Sequence, residues 1–356
     1  MPDQLVPAGT EVAKPPLVAP ASAQDDAPRG RARPRLRIAR LRDLALIPAI
    51  VAIGIIGVIV SPVFLTQSNV INILQQQSEI SLVVLGEAMI LVAGKLDLSL
   101  ESTVGLAPGI AVWLVLPKNP GHGQGLELAG AWSVPVALGV GLVIGLVNAV
   151  LIVKFELNGF IVTLGMLIAL RGLLNGISRG QTFFGLPQSM LYLGTTEWWG
   201  LPASVWVSLI LFALGIFVLG YTRFGRSLYA IGGNSAAAKA AGIRVDRVVM
   251  ITLMIASVLA ALAGVLLAGR LGSVTANSGN GWIFTVFAGA VIGGISMNGG
   301  KGTIFGAFTG ILLLFEVQNV LTLAGVAAEW INFLNGAIIL GALVISRIAS
   351  GQAQNS

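Results

Sequence analysis

The chain has 356 residues, 55% of them apolar and only 10% charged, against ~25% charged in an average soluble domain; a water-facing surface cannot be built from that balance. The formal net charge of +6 does not indicate nucleic acid, because basic residues are scattered among short segments and only 29–42, RGRARPRLRIARLR, is dense. With no cysteine and a single histidine, His122, disulfides, thiolate chemistry and multi-histidine metal sites are excluded, and no metal site is expected.

Residues 1–43 are rich in Pro, Ala and Arg and hold no apolar run. They are expected to form a disordered basic tail whose Arg cluster lies on anionic lipid headgroups. Apolar windows follow at 44–63, 70–93, 100–117, 134–153, 157–176, 203–221, 248–270, 282–297, 303–320 and 329–346. Most approach the ~20 residues that a helix needs to cross ~30 Å of hydrocarbon. Strands are disfavoured, because an open edge in lipid leaves backbone groups unpaired. The fold expected is therefore an all-α polytopic bundle of about ten transmembrane helices over 44–347, with a short tail at 348–356. The first window starts too late for an ordinary cleaved leader. The weakest windows are 157–176, interrupted by Arg171, and the short, glycine-rich 282–297.

An even number of crossings puts both termini on one side. With that side inside, every Lys and Arg except Lys118, Arg171, Arg179 and Arg270 is internal, so the positive-inside rule places both termini in the cytoplasm. The 177–202 connection is then external. Its Pro187, Trp198, Trp199 and Pro202 suit a short interfacial element or a docking surface, although Trp also prefers the membrane interface in general. The 222–247 connection, YTRFGRSLYAIGGNSAAAKAAGIRVD, is internal. A Gly-Gly-Asn break followed by Ala and Lys predicts a short surface helix capped by Asn234 or Ser235 and ended near Gly242.

Many of the 46 glycines fall inside the windows, as at Gly139, Gly141 and Gly145, and at Gly289, Gly293 and Gly294. Small residues there let helices approach closely in lipid. The run GGISMNGGKGTIFG at 293–306, with Asn298 and Lys301 among its glycines, predicts a helix end near the inner surface. In the second window Asn72, Gln76, Glu79 and Glu87 are spaced close to one helical face, which is expected to look toward protein or water. Glu79 in the outer headgroup zone is the other reading, and Glu87 fits either a pathway or a packed core.

No catalytic motif is present. A GxxxxGK[ST] phosphate loop needs glycine six residues before its lysine, and Met89 and Ile295 stand there before Lys95 and Lys301. HExxH and GxSxG are absent too. The chain is expected to be no enzyme and to bind no cofactor, so any coupling to ATP has to come from another polypeptide.

Three segments carry a resemblance. LGEAMILVAGKLDLSLES at 85–102 matches at Gly94, Asp97, Leu98 and Ser99, and GRSLYAIGGNSAAAKAAGIRVDRV at 225–248 matches at Gly225, Ala230, Gly232, Gly233, Asn234, Ala237, Ala238, Gly242 and Ile243. VIGGISMNGGKGTIFGAFTG at 291–310 matches at Gly293, Gly294, Gly299, Gly300, Lys301, Gly302 and Gly306, and NGFIVTLGMLIALRGL at 158–173 also fits. Over about 66–346 the chain resembles the permease subunits of bacterial ABC importers for ribose, xylose and related monosaccharides.

The resemblance implies a protein of the bacterial cytoplasmic membrane that pairs with a second permease copy. It also implies a cytoplasmic ABC ATPase holding ATP-Mg and an extracytoplasmic sugar-binding protein. It makes Gly225, Gly232, Gly233, Asn234, Ala237, Ala238, Gly242 and Ile243 the ATPase-coupling loop. The translocation path or gate would include Glu87, Gly94, Asp97, Ser99, Gly293, Gly294, Asn298 and Lys301.

The chain departs from the family pattern at Glu87, Lys95 and Glu101, where the family commonly carries small or apolar residues. An ion pair between Lys95 and one of these carboxylates at an inner gate, an altered substrate preference, and a solvated boundary loop are the three expectations. Other classes stay open. An ion-gradient transporter would need deep acidic residues, for which only Glu87 and Glu316 qualify, and an importer for an amino acid or nucleoside is the nearest relative reading. A membrane enzyme acting on lipid-linked sugars is disfavoured by the lack of a clustered acid, base or metal site.

Overall fold

The computed structural model describes residues 46–118 and 123–331, with scattered positions from 333 to 344. The basic tail 1–43, His122 and the terminal 348–356 lie outside the described residues. The chain is mostly helical. In order come α1 (Ile47–Val60), α2 (Gln67–Val92), α3 (Leu100–Val115), α4 (Ser133–Ala149, continued by a π turn at Val150–Lys154) and α5 (Gly159–Ser178). There follow α6 (Gln188–Thr195), α7 (Ala203–Tyr221), α8 (Arg223–Gly233), α9 (Ser235–Ala240), α10 (Val245–Leu271), α11 (Trp282–Ile292) and α12 (Ile304–Leu323). The described positions between 328 and 344 are helical as well.

Each apolar window from 44–63 to 303–320 holds a helix, and three more helices, α6, α8 and α9, lie in the connections. Among the described residues five helices are long and apolar enough to cross a membrane: the α4 unit from Gly130 to Lys154, α5, α7, α10 and α12. α1, α3 and α11 are apolar but shorter. The 282–297 window yields only an 11-residue helix, because its glycines end α11 at Ile292.

Local signals set the boundaries. Asn158 caps α5 by accepting from the Ile161 N–H, and Thr303 caps α12 by accepting from the Gly306 N–H. Arg179 and Gly180 adopt left-handed conformations just past α5. Beyond α6 the 177–202 connection folds as a hairpin, β2 (Glu197–Trp198) against β3 (Leu201–Pro202), closed by Trp199 and Gly200, both at positive φ. The Pro- and Trp-rich connection thus holds a short ordered element. A second two-residue pair joins β1 (Phe183–Phe184) to β4 (Ser273–Val274).

α10 is the central post, packed on α2, α3, α4 and α6. In lipid, apolar burial alone does not pull helices together, so close backbone contact has to. Small residues supply it on every side. A Cβ at Gly86 of α2 would stand 2.9 Å from Ala256, one at Gly145 of α4 2.7 Å from Met254, and one at Gly264 of α10 2.0 Å from the Val104 carbonyl of α3. α11 and α12 close on each other the same way through Gly289, Gly293, Gly306 and Gly310.

One end of α10 is clasped by charge. Arg270 Nε and Nη2 donate to Glu79 Oε1 and Oε2 at 2.5 and 2.8 Å, a bidentate pair. Gln75 Nε2 donates to the Gly194 carbonyl at 2.7 Å, tying α6 into the same clasp. Glu79 is therefore paired inside the protein. It is buried, as is Glu87, while Asn72 and Gln76 are exposed; the expected single polar face divides after its first two turns because α10 covers the rest. Removing one partner leaves the other charge buried. Arg270→Met should destabilise the fold by roughly 3–5 kcal/mol, and Glu79→Gln added to it should recover most of the loss, read as melting temperatures of the detergent-solubilised chain.

Candidate functional site

The three signature segments meet in space. α2 ends at Val92, and its last carbonyl accepts a hydrogen bond from the Gly300 N–H at 2.9 Å. Gly232 of α8 lies against the same carbonyl: a Cβ there would be 1.9 Å from the Val92 oxygen and 2.5 Å from Gly300 N. Gly94 turns the chain out of α2 at φ 72° and faces Gly232 and Gly299, while a Cβ on Gly300 would meet Gly233 N at 2.8 Å. Tyr229 Oη donates to the Gly302 carbonyl at 2.8 Å. Segments 92–94, 229–233 and 298–302 thus interlock backbone to backbone at their glycines, with Tyr229 adding a side-chain bond.

This junction carries a small exposed unit. Asn234 caps α9, its Oδ1 accepting from the Ala237 N–H at 2.9 Å, and the helix ends before Gly242 at φ 83°, as the sequence predicts. Ala238 is buried and Ile243 half-buried, whereas Gly233, Ser235, Ala236, Ala237 and Lys239 are exposed. The residues before it form α8 rather than loop. Thr222 caps that helix by accepting from the Gly225 N–H, and Gly225, Leu228 and Ile231 face the core while Arg223 and Arg226 face out. Their three-residue spacing was the available signal.

Below the junction lies a buried polar cluster. Asp97 Oδ1 accepts from the Ser99 N–H at 2.9 Å and from Ser99 Oγ at 2.6 Å. Asn148 Nδ2, from α4, donates to Ser99 Oγ at 2.7 Å and to Asp97 Oδ2 at 3.2 Å, and Glu87 Oε1 accepts from the Asp97 N–H at 3.4 Å. The cluster fixes the turn from α2 into α3. Asn148 is the member that sequence reasoning missed; nothing but the tertiary fold brings α4 to this turn.

The expected Lys95 pairing is not formed. Lys95 is exposed and makes no ion pair among the described residues. Glu101 instead pairs with Arg171 of α5, Nη2 to Oε1 at 2.8 Å, and its Oε2 accepts from the Ile283 N–H at the start of α11 at 3.2 Å. Arg171 Nη1 also donates to the Ala276 carbonyl at 3.3 Å. Segment 274–279 runs antiparallel along α3: Val274 is near Gly109, the Ser278 carbonyl near Gly105, and Gly279 against the Glu101 carbonyl. Of the proposed gate residues, Gly293 packs on Gly306, while Asn298 and Lys301 are exposed beside the junction and Gly294 is half-buried at φ 84°.

A bundle of apolar helices that gathers three glycine-rich segments under an exposed two-helix unit is the construction of a membrane permease. A family model for the permease component of branched-chain amino acid transport systems matches residues 69–343, and the chain belongs to that family. It is 33% identical over 309 residues to the ribose import permease protein of Escherichia coli K12, covering 86% of this chain and 93% of that one. Similarity to the autoinducer 2 import system permease protein of Klebsiella pneumoniae is 34% over 304 residues, 85% and 86% of the two chains. The corresponding protein of Yersinia pseudotuberculosis is 32% identical over 300 residues, 84% and 83%. No solved structure matches the chain. The chain is thus a multi-pass transporter subunit rather than an enzyme.

The junction separates neighbouring glycines sharply. Gly232→Ala should abolish accumulation of folded protein, because its methyl has to displace backbone on two sides. Gly233→Ala, with open space around it, should leave the melting temperature within about 2 °C. Size-exclusion profiles and melts of the two variants check this.

Proposed function

We propose that the chain is the transmembrane subunit of a binding-protein-dependent ABC importer for a monosaccharide or a related polyol. It crosses the bacterial cytoplasmic membrane about ten times with both termini inside. A second permease copy, a cytoplasmic ABC ATPase that binds ATP-Mg, and an extracytoplasmic sugar-binding protein complete the assembly. Family membership and the ribose and autoinducer 2 permeases among its relatives support the solute class.

The observation that carries the reading is the glycine junction. α8 and α9 project from it with Arg223, Arg226, Lys239, Arg244 and Arg247 exposed, the charge pattern of a cytoplasmic face. The residues proposed to couple to the ATPase, from Gly225 to Ile243, are this unit. Motion of α9 reaches the end of α2 through Gly232 and the 298–302 loop through Gly233, because neither contact contains a flexible side chain. When ATP draws the ATPase modules together, the α8–α9 unit shifts and both glycine turns move with it. The path between helices then opens toward the opposite side of the membrane. The permease need hold solute only weakly, since affinity resides in the binding protein.

Ala237→Glu, on the exposed side of α9, should leave the melting temperature of the permease unchanged. It should cut ATP-dependent sugar uptake at least about tenfold by placing a bulky charge where the ATPase docks. Uptake into proteoliposomes with the ATPase and binding protein measures it. Transport at the parent rate, or transport by the permease without ATP, contradicts the reading and favours an ion-driven carrier.

A further inference from the structure

The Arg171–Glu101 pair lies deep. From Glu101 to the end of α3 at Val115 is about 21 Å at 1.5 Å per residue. Segment 274–279 descends along α3 as far as Glu101 before α11 begins, so polar residues of this segment stand well below the ends of the neighbouring helices. Asn277 and Asn280 are exposed there, and their side-chain amides make no hydrogen bond among the described residues. Asn175, one helical turn beyond Arg171 on α5, is exposed and unpartnered in the same way. A lipid surface would penalise the free amides of Asn277 and Asn280 at this level, while Asn175 stands in the last turn of α5 above them; water and a hydroxylated solute would penalise none of the three.

α5 has the shape of a wall for such a path. It is the least buried of the five long apolar helices, at 17%. Beside Arg171 and Asn175 it shows Gly165, Gly172 and Gly176, where an added Cβ would meet nothing within 4 Å. Within the Arg171–Glu101 pair the charges are matched. Glu101 takes one Arg171 N–H and the first free N–H of α11, the two features that would otherwise attract an anion. The remaining guanidinium donors stay available, since the Arg171 side chain is 17% exposed.

We propose that Arg171, Asn175, Asn277 and Asn280 form a station in the translocation path that hydrogen-bonds a neutral polyhydroxylated solute. Glu101 sets the preference for neutral over anionic solutes by compensating the Arg171 charge. The proposal rests on the permease reading, and it gives Glu101, a departure from the family pattern, a role in selectivity rather than at an inner gate.

Because the chain has no cysteine, single Cys replacements test it without knowledge of the natural solute and without ATP or partners. Failure here is therefore distinct from failure of the α9 uptake experiment. Asn175→Cys, Asn277→Cys and Asn280→Cys, in the full chain in membrane vesicles, are treated with sulfonated and trimethylammonium methanethiosulfonates. Expected rates are at least about tenfold above Leu214→Cys, an exposed apolar position of α7. Adding Glu101→Gln to Asn280→Cys should raise the anionic-to-cationic rate ratio roughly threefold or more, and Glu101→Gln with Arg171→Gln should return it to the parent value. Should Glu101→Gln fail to accumulate, Arg171→Gln alone reads the same balance, with the ratio falling. Asparagine positions no faster than the control, a spontaneous disulfide between two copies of Gly172→Cys, or a ratio indifferent to these changes overturns the proposal.

Discussion

One hydrogen bond and the glycine beside it hold the working parts together. The Val92 carbonyl is the last of α2, and a helix end leaves such groups without an intrahelical partner. Here the Gly300 N–H satisfies it at 2.9 Å while Gly232 fills the space that any side chain would occupy. Val92 is buried, and an unmet carbonyl there would cost about 1–3 kcal/mol. The end of α2, the exposed α8–α9 unit and the loop before α12 are therefore one mechanical body. A displacement imposed on α9 cannot be absorbed by rotamer changes, since the contact surfaces are backbone.

The same economy of side chains governs the rest of the bundle. Around α10, glycine and alanine bring helix axes close enough for dispersion and Cα–H contacts to replace the hydrophobic drive that lipid removes. Where volume is not needed for packing, as along the open face of α5, glycine leaves room instead. Similar residues thus make the tightest contacts and the emptiest wall, and only the neighbours decide which.

Polar groups inside the bundle are handled by pairing. Glu79 with Arg270 clasps α2 to α10, and Glu101 with Arg171 joins α3, α5 and the start of α11. Asp97, Ser99 and Asn148 build the turn between α2 and α3. Each pairing removes the cost of an isolated intramembrane charge or amide. Glu316, which faces Gly54 of α1, keeps one buried carboxyl oxygen without a partner among the described residues.

The sequence by itself determined the helical class, the apolar windows, the α9 cap at Asn234 and the helix break at 293–303. Each of these follows from hydropathy, charge or capping over a few adjacent residues, which lipid makes decisive by forbidding unpaired backbone. It also marked the three glycine-rich segments through their resemblance to sugar permeases. It did not reveal that they touch, that Arg171 rather than Lys95 answers Glu101, or that Asn148 completes the Asp97 turn. Those partners lie tens to hundreds of residues apart, and no local period encodes which small-residue faces meet. Only the packing of α2, α3, α4 and α5 around α10 decided them.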